Sequence, residues 1–152
     1  MRKVLITGMS GSGKSSVIEE LKARGYRAID TDWDPDWEYD AGDEWRWRED
    51  RIAALLDDDK ADDVLFVSAC VSNQGKFYRR FDDIVLLSAP EAVMTERLSR
   101  RTNNPYGKTA EQLADVLHFK QTVEPLLRRG ATVEIDTSVP LEAVVAAILA
   151  RI

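Results

Sequence analysis

Two glycines five residues apart, with a lysine and a serine after the second, give Gly8-Met9-Ser10-Gly11-Ser12-Gly13-Lys14-Ser15 the form G-x-x-x-x-G-K-S. That spacing suits the holding of phosphate. Glycine lets the backbone turn tightly enough for successive N–H groups to converge on one anion, and the positive end of a following helix adds to the attraction. Lys14 is then expected to reach the β- and γ-phosphates, and the Ser15 hydroxyl to ligate magnesium. The nucleotide contacts expected from the loop are Gly8, Ser10, Gly11, Ser12, Gly13, Lys14, Ser15 and Ser16, with ATP and Mg2+ as cofactors.

Phosphoryl transfer to a hydroxyl also needs a carboxylate that orients the hydroxyl and accepts its proton, and a group that holds water on the metal. Asp30 and Asp32 are two apart, so an extended chain points both to one side, where both can face the terminal phosphate. The pair can fill both roles, or it can belong to a solvated acidic loop. Water must be kept from the transferring group, and cations must meet it. Arg97, Arg100, Arg101 and Lys108 flank an Asn-Pro-Tyr-Gly segment. Arg97 or Arg101 can meet the leaving charge, one of them can stack on the base, and Lys108 can arrive with a short lid around 101–109. These residues can equally be ordinary cations near a helix C-terminus, favoured by its dipole.

The elements that must position these groups alternate between strand and helix. Val4-Leu5-Ile6 reads as a buried strand, and the loop after it opens a helix with Val17, Ile18 and Leu21 on one face, ending at Gly25. A second strand runs from Tyr26 to Ile29, an acidic, Trp-rich loop follows, and helical patterning resumes from Trp45 to Leu56. Val64–Val67 and Ile84–Leu87 are unbroken apolar runs, as central parallel strands covered on both faces require. A helical turn across Gln74 to Phe81 joins them. Pro90 opens a helix reaching about Arg101, and residues 103–107 form a loop. Thr109-Ala110-Glu111-Gln112 has the capping-box form and starts a helix that Pro125 kinks and Gly130 closes. Thr132 to Ile135 is the last strand, and a final helix begins near Pro140. The alternation predicts one α/β domain over residues 1–152, with a parallel sheet and right-handed crossovers.

With these residues in place, the chain resembles, over nearly its whole length, the small P-loop kinases of the shikimate kinase, gluconate kinase and nucleoside-monophosphate kinase group. The phosphate loop, Asp30-Thr31-Asp32, the arginines Arg97 and Arg100-Arg101, and Asp136-Thr137-Ser138 carry the likeness. It implies a three-layer P-loop NTPase fold with five parallel strands in the order 2-3-1-4-5. By similarity to the Asp-x-Asp of shikimate kinases, it implies that Asp32 contacts the acceptor hydroxyl and that Asp30 joins Ser15 around magnesium. It also implies that Asp136, Thr137 and Ser138 border the adenine; alternatively, Ser138 caps the last helix. Glu44-Trp45-Arg46-Trp47-Arg48 is similar to the shikimate kinase helix that presents an arginine to substrate, with Arg46 in the matching place. Shikimate kinases carry Gly-Gly-Gly after the third strand, whereas Ser68-Ala69-Cys70 stands here. That is closer to the Ser-Ala of gluconate kinases; it brings Ser68 and Cys70 to the acceptor side and argues against shikimate. Lys108, where a lid arginine is usual, gives a point charge in place of a fork.

Trp33, Trp37, Trp45 and Trp47 lie among carboxylates. Indole faces stack on sugars or attract cations, and carboxylates favour amino groups; each Trp can instead be core. Residues 30–50 hold 10 acids and 2 bases, a balance of −8 against −6 for the whole chain of 152 residues. Arg46 and Arg48 alone are too few for a nucleotide acceptor's phosphate. The expectation is an ATP-dependent small-molecule kinase, with Trp33 among the contacts to a sugar, polyol, aminosugar or antibiotic-like acceptor. The alternatives are a nucleoside or nucleotide kinase and a nucleotide-binding regulatory module without phosphotransfer. The negative charge argues against nucleic acid as a partner. No run approaches the ~20 apolar residues of a membrane span, and the start lacks a signal peptide's long apolar segment, so a cytoplasmic monomer or small homo-oligomer is expected. Cys70 and His118, one of each, cannot make an internal disulfide or a zinc site of the usual kind.

Overall fold

The computed structural model describes residues 2–58, 63–102 and 106–152. In chain order its elements are β1 (Arg2–Thr7), α1 (Lys14–Ala23), β2 (Arg27–Asp30), β3 (Glu38–Asp40), β4 (Trp45–Trp47) and α2 (Glu49–Asp57). There follow β5 (Val64–Ser68), a 3-10 helix (Gln74–Arg80), β6 (Asp83–Ser88), α3 (Glu91–Arg100), α4 (Ala110–Thr122), α5 (Glu124–Gly130), β7 (Val133–Asp136) and α6 (Leu141–Leu149). Five strands pair in parallel in the order β2-β5-β1-β6-β7. Counted among that sheet's own strands, this is 2-3-1-4-5, the order that the resemblance implies.

The unbroken apolar runs become the middle of the sheet because side chains leave each strand on both faces. Val4 and Ile6 of β1 pack with Val17, Ile18 and Leu21 of α1 and with Val145 and Ile148 of α6. Leu5, between them, faces the other way, toward Ile52 and Leu56 of α2, Trp47 and Phe77. Leu86 of β6 meets Met94 and Leu98 of α3, Val116 and Leu127. Full burial of each large apolar side chain is worth about 1.5–3 kcal/mol, so the helix layers are fixed to the sheet and the loops at its carboxyl edge are held to it.

One element departs from expectation. Trp45 to Trp47 is strand, paired antiparallel with Glu38–Asp40, and the helix starts only at Glu49. The physical reason is visible in Trp-Arg-Trp, where alternation sends Trp47 fully into the core and turns Arg46 outward to an ion pair with Glu44 at 2.8 Å. Gly42, at φ 107°, makes the bend between the two strands. Asn73 then clamps β4: its side chain accepts from Trp47 N at 2.9 Å and donates to Trp47 O at 3.0 Å. The predicted capping residue does cap, since Thr109 Oγ1 accepts from Gln112 N at 3.1 Å. Pro125 begins α5 after a break at Val123. Of the expected loop 103–107, residues 103–105 lie outside the described residues. Among the described residues no helix is long and apolar enough to cross a membrane.

Candidate active site

β1 delivers the phosphate loop at the carboxyl edge of the sheet. A Cβ on Gly8 would lie 2.5 Å from the Leu87 carbonyl and 2.6 Å from Ser12 Oγ, so the loop closes on β6 only with glycine there. Gly13, at φ 102°, sets the left-handed residue from which α1 starts, with no side-chain cap. Among the described residues the N–H groups of Gly11, Gly13, Lys14, Ser15 and Ser16 make no backbone hydrogen bond elsewhere in the chain. They form an open cradle of donors at a helix N-terminus, which fits a polyphosphate.

Lys14, only 7% exposed, donates from Nζ to Gly8 O at 2.7 Å and lies 3.5 Å from Asp32 Oδ2. Burial works to lower its pKa, but Asp32, Cys70 and Asp30 together hold it above the ordinary lysine value. The ammonium therefore stays charged. Ser15 Oγ donates to Asp30 Oδ2 at 2.9 Å, an all-oxygen pair of the kind that magnesium takes. Asp30 is held from its other side by Ser68 Oγ at 3.1 Å and by Asp32 N at 3.0 Å.

After Asp30 the chain turns through Thr31, which is fully buried, to Trp33. Trp33 is the one non-glycine residue with positive φ, 62°, among the described residues, and it is 47% exposed. Its ring meets Trp45 edge-on at 5.4 Å and Tyr106 at 5.9 Å. Under this turn sits Glu38 of β3, 2% exposed, with Oε1 accepting from Trp33 N at 3.2 Å and Oε2 3.2 Å from Thr31 Oγ1. Burial first, and then the charge of Asp32, push the Glu38 carboxyl up to about 7, against the pull of the hydrogen bond from Trp33 N.

Gly11, Gly13, Lys14, Ser15, Asp30, Asp32 and Trp33 line one cleft of about 1080 Å³ together with Arg97, Arg101 and Thr137. Arg97 donates to Thr137 Oγ1 at 2.8 Å, to Gly11 O at 3.3 Å and to Thr137 O. Thr137 Oγ1 in turn donates to Ser12 O at 2.6 Å, tying the end of β7 to the loop. Arg101 donates to Tyr106 O. Burial lowers the pKa of both arginines, partly offset by Asp136 beside Arg97 and by Asp32 and Tyr106 beside Arg101.

Ser10, Gly11, Gly13, Lys14, Ser15, Ser16, Asp30, Asp32, Trp33, Arg97, Arg101 and Thr137 thus converge as lining. Gly8, Ser12 and Ser68 stand behind them. Arg46 does not line the cleft, because β4 turns it to Glu44. Cys70 and the exposed Lys108 are also outside the lining, as are Asp136 and Ser138; Asp136 accepts from Ser138 N at 2.8 Å, and Pro140, not Ser138, is the N-cap of α6. Two of the tryptophans are structural: Trp47 is core, and Trp37 packs against the same cluster. The lining also includes Arg100, expected beside the lid, and Val93, Glu96, Val139, Leu141 and Val144, which the sequence did not mark as site residues. The available signal was a pair of apolar side chains, Val139 and Leu141, left exposed just after Asp136-Thr137-Ser138.

Loop, cleft and strand order define a P-loop protein built like the small kinases. Residues 4–118 match the model of a family described as AAA domain, and the chain belongs to that family. Among solved structures it is similar to a shikimate kinase from Bacteroides thetaiotaomicron, with a TM-score of 0.68, 17% identity and 99% of each chain covered. A shikimate kinase from Acinetobacter baumannii in complex with shikimate gives 0.64 and 18%, covering 99% of this chain and 94% of that one. A gluconokinase from Sinorhizobium meliloti 1021 gives 0.58 and 26%, covering 99% and 92%. No curated protein matches the sequence.

Proposed function

We propose that the protein is an ATP- and Mg2+-dependent kinase that transfers the γ-phosphoryl group to a hydroxyl of a sugar, polyol, aminosugar or antibiotic-like acceptor. The observation that carries this reading is the coupling of Asp30 and Asp32 to the phosphate loop, Ser15 to Asp30 at 2.9 Å and Lys14 to Asp32 at 3.5 Å. Carboxylates held at that place serve transfer to a hydroxyl, which a module that only binds nucleotide does not need. The kinase names of the solved structures similar to this chain support the same reading.

In this mechanism Lys14 leaves the Gly8 carbonyl and pairs with the terminal phosphates, while the loop N–H groups hold their oxygens. Ser15 and Asp30 would hold magnesium, which when bound would supply positive charge to the polyphosphate. Asp32 accepts the acceptor's proton as the new O–P bond forms and the bond from phosphorus to the ADP oxygen breaks; the proton then passes to solvent. Arg101 lies across the cleft as a counter-charge for the transferring group. Arg97, committed to Gly11 and Thr137, shapes the base end with Val139 and Leu141. A short lid around 101–109 suits this arrangement, since Arg101 lines the cleft and Tyr106, whose carbonyl accepts from Arg101, meets the Trp33 ring.

On the acceptor side, Arg46 is turned to Glu44 and Arg48 to the Pro35 carbonyl and the Tyr39 ring. An acceptor without negative charge, stacked on Trp33, fits this end best. The test is ADP release from Mg2+-ATP across sugars, polyols, aminoglycosides, shikimate, nucleosides and nucleoside monophosphates, with Lys14→Ala as control. Stimulation by a neutral or amino-bearing acceptor, lost in the control, is expected. Stimulation by a nucleoside monophosphate alone would overturn the acceptor class.

A further inference from the structure

Thr31 Oγ1 has three polar neighbours: Trp47 Nε1 at 2.9 Å, Ser68 O at 2.8 Å and Glu38 Oε2 at 3.2 Å. A hydroxyl donates one hydrogen bond and accepts two. Trp47 is donor only and a carbonyl is acceptor only; Ser68 O has two lone pairs, one taken by Thr31 N at 3.1 Å and one by the shorter contact from Thr31 Oγ1, which takes the Thr31 proton. The contact to Glu38 is then a hydrogen bond only if the proton lies on the glutamic acid. With it there, Glu38 donates to Thr31 through Oε2 and accepts from Trp33 N through Oε1, and all three contacts at Thr31 are satisfied.

We propose that Glu38 is a positioning residue of the acceptor end of the cleft, held as the neutral acid by a proton on Oε2, which fixes the Asp32–Trp33 turn for the acceptor. The surroundings agree. Glu38 is almost fully buried beneath a turn carrying Asp30 and Asp32, the Cys70 thiol faces it from the end of β5, and across the hairpin β4 places Trp47 opposite it. A third negative charge there would meet two carboxylates, and burial without a counter-ion favours the neutral form. Trp33 supplies the reason a fixed support is needed. An aromatic residue at φ 62° is in a left-handed conformation that costs energy and persists only where neighbours hold it. Glu38 holds its N–H. Loss of the proton would leave Thr31 with one donor fewer and push Asp32 away from its place beside Lys14.

The acceptor role of the turn rests on the function proposed above, whereas the proton on Glu38 does not, so the decisive measurements need neither nucleotide nor acceptor. Side-chain carboxyl carbon NMR across a pH series, assigned by Glu38→Gln, reads the protonation directly. A Glu38 resonance still neutral at about pH 6 is expected, whereas one fully ionised by about pH 5 would overturn the proposal. Trp33 emission, isolated by difference against Trp33→Phe, should follow the same titration. The amide of Glu38→Gln can accept from Trp33 N and donate to Thr31 as the neutral acid does. This variant should therefore give the acid-side emission at every pH, and emission matching the ionised wild type would overturn the proposal. Glu38→Leu should lose the acid-side signal, which separates hydrogen bonding from packing. Given an acceptor, Glu38→Gln should stay within about threefold of wild-type kcat/KM at acid pH while Glu38→Leu raises acceptor KM about tenfold or more. Equal losses in both variants would contradict the neutral-acid role.

Discussion

Lys14 is buried against the Gly8 carbonyl and beside Asp32, so it props the loop and, in the proposed function, is the charge aimed at the phosphates. Lys14→Ala is expected to lower turnover by at least about 10²–10³-fold, checked by ADP release; unchanged turnover would remove the site assignment. Asp32→Asn keeps the shape and removes the proposed proton acceptor. Its expected effect is a fall in kcat of about 10²–10⁴-fold, with nucleotide affinity, read by a fluorescent ATP analogue, nearly unchanged. A parallel fall in both would take Asp32 out of the acceptor role. Trp33→Gly separates backbone from ring. Glycine relieves the left-handed strain and keeps the N–H for Glu38, so stability should stay within about 1 kcal/mol in urea titrations, while acceptor KM rises. A large loss of stability instead would mean that the indole is a structural part.

At the scale of elements, the β3–β4 hairpin is what the sequence least revealed. Glu44 to Arg48 resembled a substrate-presenting helix, yet Trp45 and Trp47 alternate about Arg46, and the core takes Trp47. The period-two signal was three residues long, too short to outweigh the helical pattern that truly begins at Glu49. Nor could any local pattern show that Asn73, well downstream, closes the hairpin by bonding both backbone groups of Trp47. Asn73→Ala leaves that buried N–H and carbonyl without their partner and should destabilise the fold by about 1–3 kcal/mol, checked by thermal or urea unfolding. No change would show that β4 is held by other means. By contrast the phosphate loop, the central strands and the Thr109 cap were legible, because each depends on residues close in sequence or on an unbroken apolar run. Glu38 was counted only as one acid among ten; its burial follows from the hairpin and could not precede it.

For the whole molecule, the sheet gathers the loop after β1, the Asp30–Trp33 turn after β2, Ser68 after β5 and Thr137 after β7 at one edge, the place where open α/β sheets bind ligands. The order 2-3-1-4-5 came from the resemblance, since strand patterning alone does not specify neighbours. One global quantity carries the mark of the site. Because the Glu38 carboxyl rises from 4.5 to about 7 on folding, the folded state holds its proton more tightly than the unfolded chain. Its contribution is fully present below about pH 4.5 and is lost as pH rises through about 7, amounting to roughly 3 kcal/mol at most. Unfolding free energies of wild type minus Glu38→Gln should therefore fall across that window; a flat difference would contradict the shift. The most direct test of the whole site is phosphorus NMR of the product mixture from Mg2+-ATP and a panel of neutral and amino-bearing acceptors. Wild type should convert the γ-phosphoryl signal into a phosphomonoester of one acceptor class, with the signal lost in Lys14→Ala and nearly lost in Asp32→Asn. Nucleotide bound tightly by the wild type, with no phosphomonoester from any acceptor, would contradict the kinase reading.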